Sequence, residues 1–226
     1  MKVAVAVLGL AMSAAGATIT TTVDSNAEPW MWSGGGLNTD FQYGIQNGKA
    51  PDIVSASDGV SFGPGDMITL TYLSGLSSTC AGCPSVDANG WTAAATNDSV
   101  GSSGKPYASK FMSPYPIYLM ALVGTFANST GAIVGTPFFI GTGPISFAVP
   151  AGATQLQLGV NDDYFLDNSG SFSVKVASSM DPPPGGVPEP ASILLIGVGL
   201  ATGAGMRRLV LRRKFSRSQV ILKFRE

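Results

Sequence analysis

Residues 155–176 read QLQLGVNDDYFLDNSGSFSVKV, and this stretch decides the fold class. Apolar and polar residues alternate on both sides of its acidic centre, with the apolar positions at Leu156, Leu158, Val160, Phe172, Val174 and Val176. A period of two places successive side chains on opposite faces of an extended strand. The stretch therefore predicts two neighbouring strands, each with one buried face, joined by a polar loop.

Further strand patterns occur throughout residues 18–177. Alternating segments lie at residues 68–72 and 145–149, and residues 117–123 form a continuous apolar run typical of a central strand. Residues 19–23, 60–62 and 138–140 are weaker strand candidates. No helical stripe of useful length accompanies them. Seven or eight short strands predict an all-β fold, an antiparallel β-sandwich over residues 18–177. Two spans rich in Gly, Ser and Asn, residues 33–51 and 74–114, are either functional or loosely ordered.

The polar loop concentrates oxygen donors. Asp162, Asp163, Asp167 and Asn168 fall within eight residues, and calcium takes six to eight oxygen ligands of this kind. Asn and Gly tolerate the left-handed backbone that a tight loop needs. The residues alone leave two interpretations open: a calcium site, or a turn whose acids are solvated.

The chain begins and ends with segments typical of targeting signals. Residues 1–17 combine Lys2, an apolar stretch and an Ala-Gly-Ala ending, which predicts a secretory signal peptide. Near the other end, a Pro- and Gly-rich linker over residues 178–186 precedes an uncharged apolar run at residues 191–206 and then an arginine cluster. This order predicts a transmembrane helix with a cytoplasmic tail at residues 215–226.

The residues Val187, Pro188, Glu189 and Pro190, followed by the apolar run and the arginines, resemble the PEP-CTERM sorting signal. The resemblance covers residues 187–214. It implies a bacterial protein, processed by signal peptidase and by the membrane protease exosortase, that passes through an inner-membrane intermediate to the cell surface or extracellular matrix. An ordinary C-terminal membrane anchor is the alternative.

The charge of the exported part differs from that of the whole chain. The chain carries a formal charge of −1, but residues 18–189 hold four lysines against 13 acids, a net charge of −9. An acidic body argues against nucleic acid as a partner. The chain has no histidine, which excludes a Ser-His-Asp triad and His-ligated zinc. Cys80 and Cys83 are expected to form a disulfide outside the cytoplasm.

The body also resembles the calcium-dependent galactose-binding lectins of the PA-IL type. The likeness rests on Asn161-Asp162, on NSGSFSV at residues 168–174 and on PGDMITL at residues 64–70. It implies calcium ligation by Asp162, Asp167 and Asn168, with a backbone carbonyl at Phe165 or Leu166 and another within residues 75–79. Sugar hydroxyls would complete the shell. Galactose specificity is not implied, because the sugar-contacting histidine has no counterpart here.

These observations predict a non-enzymatic exported protein whose lectin-like sandwich binds calcium and extracellular polysaccharide. The alternative is a structural surface or biofilm-matrix protein without sugar binding. Trp30 and Trp32 either form a sugar-stacking platform or pack an edge of the fold, and packing is the favoured interpretation.

Overall fold

The computed structural model describes residues 16–113 and 116–179 of the chain. Its regular structure there is almost entirely strand, with three short 3-10 turns at Thr39–Phe41, Ala56–Asp58 and Ala108–Phe111. The all-β prediction is confirmed. The predicted signal peptide falls almost wholly outside the described residues. The predicted sorting motif, helix 191–206 and cytoplasmic tail lie entirely outside them, and of the linker only residues 178 and 179 are described.

Ten strands make up the described fold. They are β1 (Thr18–Asp24), β2 (Asp52–Ser55), β3 (Met67–Ser78), β4 (Trp91–Ala95), β5 (Tyr118–Leu119), β6 (Leu122–Ala127), β7 (Phe138–Phe139), β8 (Ile145–Ala148), β9 (Gln155–Val160) and β10 (Ser169–Ser179).

Every paired strand is antiparallel to its neighbour. One sheet has the order β1-β10-β3-β8, a second has the order β2-β9-β6-β7, and β4 pairs with β5 in a two-stranded ribbon. The expectation that the acidic loop joins neighbouring strands is wrong, because β9 and β10 lie in different sheets. The loop therefore carries the chain from one sheet to the other.

The two four-stranded sheets share one hydrophobic core. Alternate residues of β9 and β10, including Leu156, Leu158, Phe172 and Val174, are fully buried and belong to the same cluster. Burying each such side chain contributes about 1.5–3 kcal/mol relative to leaving it in water. In β10 the alternation fixes which face turns inward. The prediction of a single buried face is wrong for β9, in which every residue from Leu156 to Val160 is buried.

Two strand predictions need correction, and two strands have no counterpart in the predictions. The apolar run at residues 117–123 is not one strand, because Met120 adopts φ 64° and separates β5 from β6. Residues 60–62 form no strand, although Val60 is buried. β2 and β4 were not expected at all, since neither shows a clear apolar alternation.

The two long polar spans are packed against each other. Trp30 is fully buried, and its ring centroid lies 4.9 Å from Tyr43, 6.4 Å from Phe41 and 6.2 Å from Phe111 in edge-on geometry. Tyr43 and Phe41 belong to the first span and Phe111 to the second. The packing interpretation of Trp30 is therefore the right one. Trp32 is half-buried and donates its indole N–H to the Tyr43 carbonyl over 3.1 Å.

Candidate functional site

The loop between β9 and β10 buries most of its polar side chains. Asn161 is fully buried, Asp162 and Asp163 are each 2% exposed, and Asn168 is 7% exposed. Buried acids normally need a counter-charge or several hydrogen bonds. In residues 16–113 and 116–179 the one ion pair joins Lys49 to Asp24 instead. Each loop acid must therefore be held by neutral donors or by a ligand.

Asp162 is satisfied only weakly. Its Oδ1 accepts the backbone N–H groups of Asp163 (2.7 Å) and Tyr164 (3.4 Å), and its Oδ2 accepts the Thr79 hydroxyl over 3.3 Å. Burial raises the pKa of Asp162 to about 7, and the negative charge of Asp163 adds to this rise. Hydrogen bonds from the Asp163 N–H, the Asn168 side chain and the Tyr164 N–H lower the pKa. Burial outweighs the donors, so this carboxylate is incompletely compensated.

Asn168 presents an acceptor that nothing satisfies. Its Nδ2 donates to the Ser25 carbonyl over 2.9 Å, while its Oδ1 is buried without any hydrogen-bond partner. Unpaired buried acceptors cost about 1–3 kcal/mol, and they are rare enough that each calls for an explanation. A bound cation beside Asp162 would supply one.

Asp167, the third predicted ligand, is exposed at the surface. It precedes Asn168 directly, so the two lie at the same end of the loop. Phe165 and Leu166 are the two residues predicted to offer a backbone carbonyl in the middle of the loop. The Phe165 carbonyl already accepts two hydrogen bonds, from the Asn26 amide (2.5 Å) and from the Asn168 N–H (3.3 Å). The side chain of Leu166 is 64% exposed.

Asp163 and Asn161 have structural partners that sequence reasoning missed. Asp163 Oδ2 accepts the N–H of Ser103 over 2.6 Å, and the Tyr107 hydroxyl hydrogen-bonds to the Asp163 side chain. Burial raises the pKa of Tyr107 to about 12, with the charges of Asp163 and Asp162 adding to the effect. Asn161 Oδ1 accepts the Ser109 N–H over 2.9 Å. Both side chains thus hold residues 103–109 against the loop, and no local signal in the sequence indicates these partners.

The segment predicted to supply a second carbonyl is mostly strand. β3 continues through Ser78, with Ser171 and Phe172 paired to Leu76 and Gly75. Thr79 is the first residue beyond the strand and the one of the segment 75–79 that hydrogen-bonds to Asp162. Immediately after it, Cys80 and Cys83 form a disulfide.

The donors around Asp162 are carboxylate, amide and hydroxyl oxygens, the ligands that hard cations such as calcium accept. In the described part of the chain no group of three or more Asp, Glu or Cys side chains is placed to hold a metal. The loop instead combines Asp162 with the unpaired amide oxygen of Asn168. This donor set fits a hard cation and does not fit zinc, which prefers nitrogen and sulfur ligands.

Comparison with known proteins identifies one segment. Residues 186–214 match the PEP-CTERM protein-sorting motif, which confirms the predicted sorting signal. The motif marks exported proteins that are anchored at the membrane before processing, and it implies processing by exosortase. The chain matches no curated protein and no solved structure. The comparisons lend no support to the lectin resemblance of the body.

Within the described ranges, 16–113 and 116–179, no helix is long and apolar enough to cross a membrane.

Proposed function

We propose that this is an exported surface or extracellular-matrix protein whose body is a lectin-like β-sandwich that binds calcium through Asp162, Asp167 and Asn168. The sorting motif at residues 186–214 supports export. Calcium in this loop supplies the positive charge that the buried acids lack. The ion is stabilising because it neutralises groups already removed from water.

The observation that carries the proposal is the unpaired Oδ1 of Asn168 on the same loop as the desolvated carboxylate of Asp162. Two acceptors without sufficient donors, held on one loop, favour a cation site over a hydrogen-bonded turn. Asp167 adds a third oxygen donor from the surface, and the Thr79 segment approaches from β3. These residues bind and orient the ion and exclude water from its inner side.

A thermal unfolding experiment tests the calcium proposal. The full chain, purified in detergent, is melted with calcium and then with chelator, beside the Asp162→Ala variant. A ligand present at a hundredfold excess over its Kd raises stability by about 2.7 kcal/mol, which corresponds to a rise of a few degrees in the midpoint. A rise in the wild-type protein that the variant lacks supports the site. Equal midpoints with calcium and with chelator would refute it.

Two uses of the ion fit this site. In the lectin version, the ion is shared with vicinal hydroxyls of an extracellular polysaccharide. In the structural version, calcium only stiffens the body of a surface protein, and the 2% exposure of Asp162 favours this version because a sugar must reach the ion from outside. A glycan array read with and without chelator distinguishes them. Calcium-dependent binding to any glycan supports the lectin version, and its absence supports the structural one.

A further inference from the structure

The Cys80–Cys83 disulfide lies next to the residue that links β3 to the calcium site. Thr79 stands between Ser78, the last residue of β3, and Cys80. Within the disulfide turn, the N–H of Cys83 donates to the Cys80 carbonyl over 3.1 Å. Gly82 has φ 86°, the left-handed conformation that a tight turn requires at this position. The disulfide turn therefore begins at the residue that follows Thr79.

A second set of contacts ties the turn to the sheet. The Ser78 hydroxyl lies 3.0 Å from the Cys80 carbonyl oxygen and 3.2 Å from that of Cys83. Ser77 and Val86 exchange both backbone hydrogen bonds, at 2.9 and 2.8 Å. The segment 77–86 is thus a closed loop on the end of β3, and the disulfide is its covalent crosslink.

Thr79 contacts the site through a bond that small movements would break. Its hydroxyl lies 3.3 Å from Asp162 Oδ2, longer than the usual 2.5–3.0 Å of an O–H···O hydrogen bond. Since the bond is already long, a movement of the turn that carries Thr79 away would lengthen it beyond hydrogen-bonding distance. Retaining it requires that the turn stay fixed.

The disulfide is accessible to an external reductant. Both cysteines are half-buried, and Ala81 and Gly82 between them are exposed. The chain has two cysteines in all, so no third thiol can attack the bond from within the protein. Only a reductant from the surroundings can open the crosslink.

We propose that the Cys80–Cys83 disulfide positions Thr79 against Asp162, so that the calcium affinity of the site depends on the redox state of the surroundings. This inference rests on the proposed calcium site. A dithiol transfers two electrons and two protons to the disulfide; the S–S bond breaks, each cysteine becomes a thiol, and the dithiol becomes a cyclic disulfide. The site then reaches full affinity only after export, in a compartment that keeps the disulfide formed.

The test is a calorimetric calcium titration of the full chain in detergent, oxidised and after treatment with dithiothreitol, well below the unfolding temperature. Freed backbone that must be ordered again on binding weakens affinity by roughly fivefold or more, and that is the expected rise in Kd on reduction. The double variant Cys80→Ser/Cys83→Ser should show the weak affinity from the start and not respond to dithiothreitol. Mass spectrometry confirms which thiols are reduced.

Variants of Thr79 distinguish positioning from general stability. Thr79→Val should weaken calcium binding while the disulfide is intact, and Thr79→Ser should restore it, because only the hydroxyl reaches Asp162. A calcium Kd that does not change on reduction would overturn the inference. This holds even if reduction lowers the thermal midpoint in chelator, because a disulfide that only stabilises the fold would lower the midpoint without changing the Kd. If the oxidised wild-type protein binds no calcium, both this inference and the calcium site are wrong.

Discussion

Asn168 donates its Nδ2 to the Ser25 carbonyl over 2.9 Å, and this bond leaves the buried Oδ1 of the same amide without a donor. Ser25 is itself fixed beside β10, because its N–H donates to the Gly170 carbonyl over 3.1 Å. The pairing of β1 with β10 therefore sets the orientation of the Asn168 amide. The position of Ser25 beside β10 thus explains why the Nδ2 of Asn168 is bonded while its Oδ1 is not.

The variant Asn168→Ala tests whether that acceptor is a calcium ligand. It should abolish most of the calcium-dependent rise in the thermal midpoint, because the ion loses an inner oxygen. Asn47→Ala is the matched control. Asn47 also holds the loop, accepting the Phe165 N–H over 3.1 Å, but its unpaired atom is the donor Nδ2, which cannot bind a cation. The control should melt earlier and keep the calcium response; loss of the response in both variants would argue for a merely structural role of Asn168.

Stability without calcium should depend on pH through Asp162. Its pKa rises with burial from 3.8 to about 7, so between these values the folded protein holds a proton that the unfolded chain has released. Stability therefore falls as pH rises through this window, by up to about 1.4 kcal/mol per pH unit from this one group, and levels off above pH 7. Calcium competes with the same proton, so its affinity should weaken below pH 7.

Denaturant unfolding in chelator at a series of pH values measures this effect. Burial also raises the pKa of Glu28 and Asp52, so the informative quantity is the difference between the wild-type protein and Asp162→Asn. That difference should grow from pH 5 to pH 7. A difference that is constant over this range would mean that Asp162 ionises normally.

Asp163 and Asp167 should respond to substitution in opposite ways. Asp163→Ala deprives the Ser103 N–H and the Tyr107 hydroxyl of their acceptor, so we expect a loss of about 1–3 kcal/mol in stability with calcium binding retained. Asp167→Ala removes an exposed carboxylate, so we expect normal stability in chelator and weaker calcium binding. Chemical unfolding in chelator and calorimetric calcium titration of both variants give the two readouts. The reverse pattern would assign the ligand role to Asp163.

The sorting motif predicts defined processing. Mass spectrometry of the mature protein from exosortase-positive cells should show the loss of residues 1–17 and of the tail beyond Pro190. The same protein from cells lacking exosortase should keep the arginine-containing tail, since the motif at residues 186–214 is the expected recognition element. A tail carrying Arg212 in exosortase-positive cells would contradict this prediction.

The strands that sequence revealed are those with a clear apolar alternation. β10 alternates because the core takes Phe172, Val174 and Val176 on one face. β9 shows the same pattern at Leu156, Leu158 and Val160, although its other face is buried as well. β2 and β4 escape detection because each is short and weakly apolar, and their pairing depends on distant partners. The break at Met120 is equally hidden, because it lies in a backbone conformation inside a continuous apolar run.

The oxygen donors of the candidate site are local in sequence, but their surroundings are not. Asp162 and Asn168 stand out as part of one polar loop, whereas the contact from Thr79 spans 83 positions and the Asn168–Ser25 bond spans 143. Composition cannot distinguish Asp162 from Asp163, yet the fold bonds Asp163 to the Ser103 N–H, and burial raises the pKa of Asp162 to about 7. The proposed division into a ligand and a structural acid therefore rests on tertiary contacts.

The calcium site is tested most simply by calorimetric titration of calcium into the oxidised full chain at pH 8, beside Asp162→Ala. We expect saturable binding of a single calcium ion to the wild-type protein and no measurable binding to the variant. Absence of binding to the wild-type protein, or equal binding to both proteins, would contradict the proposed site.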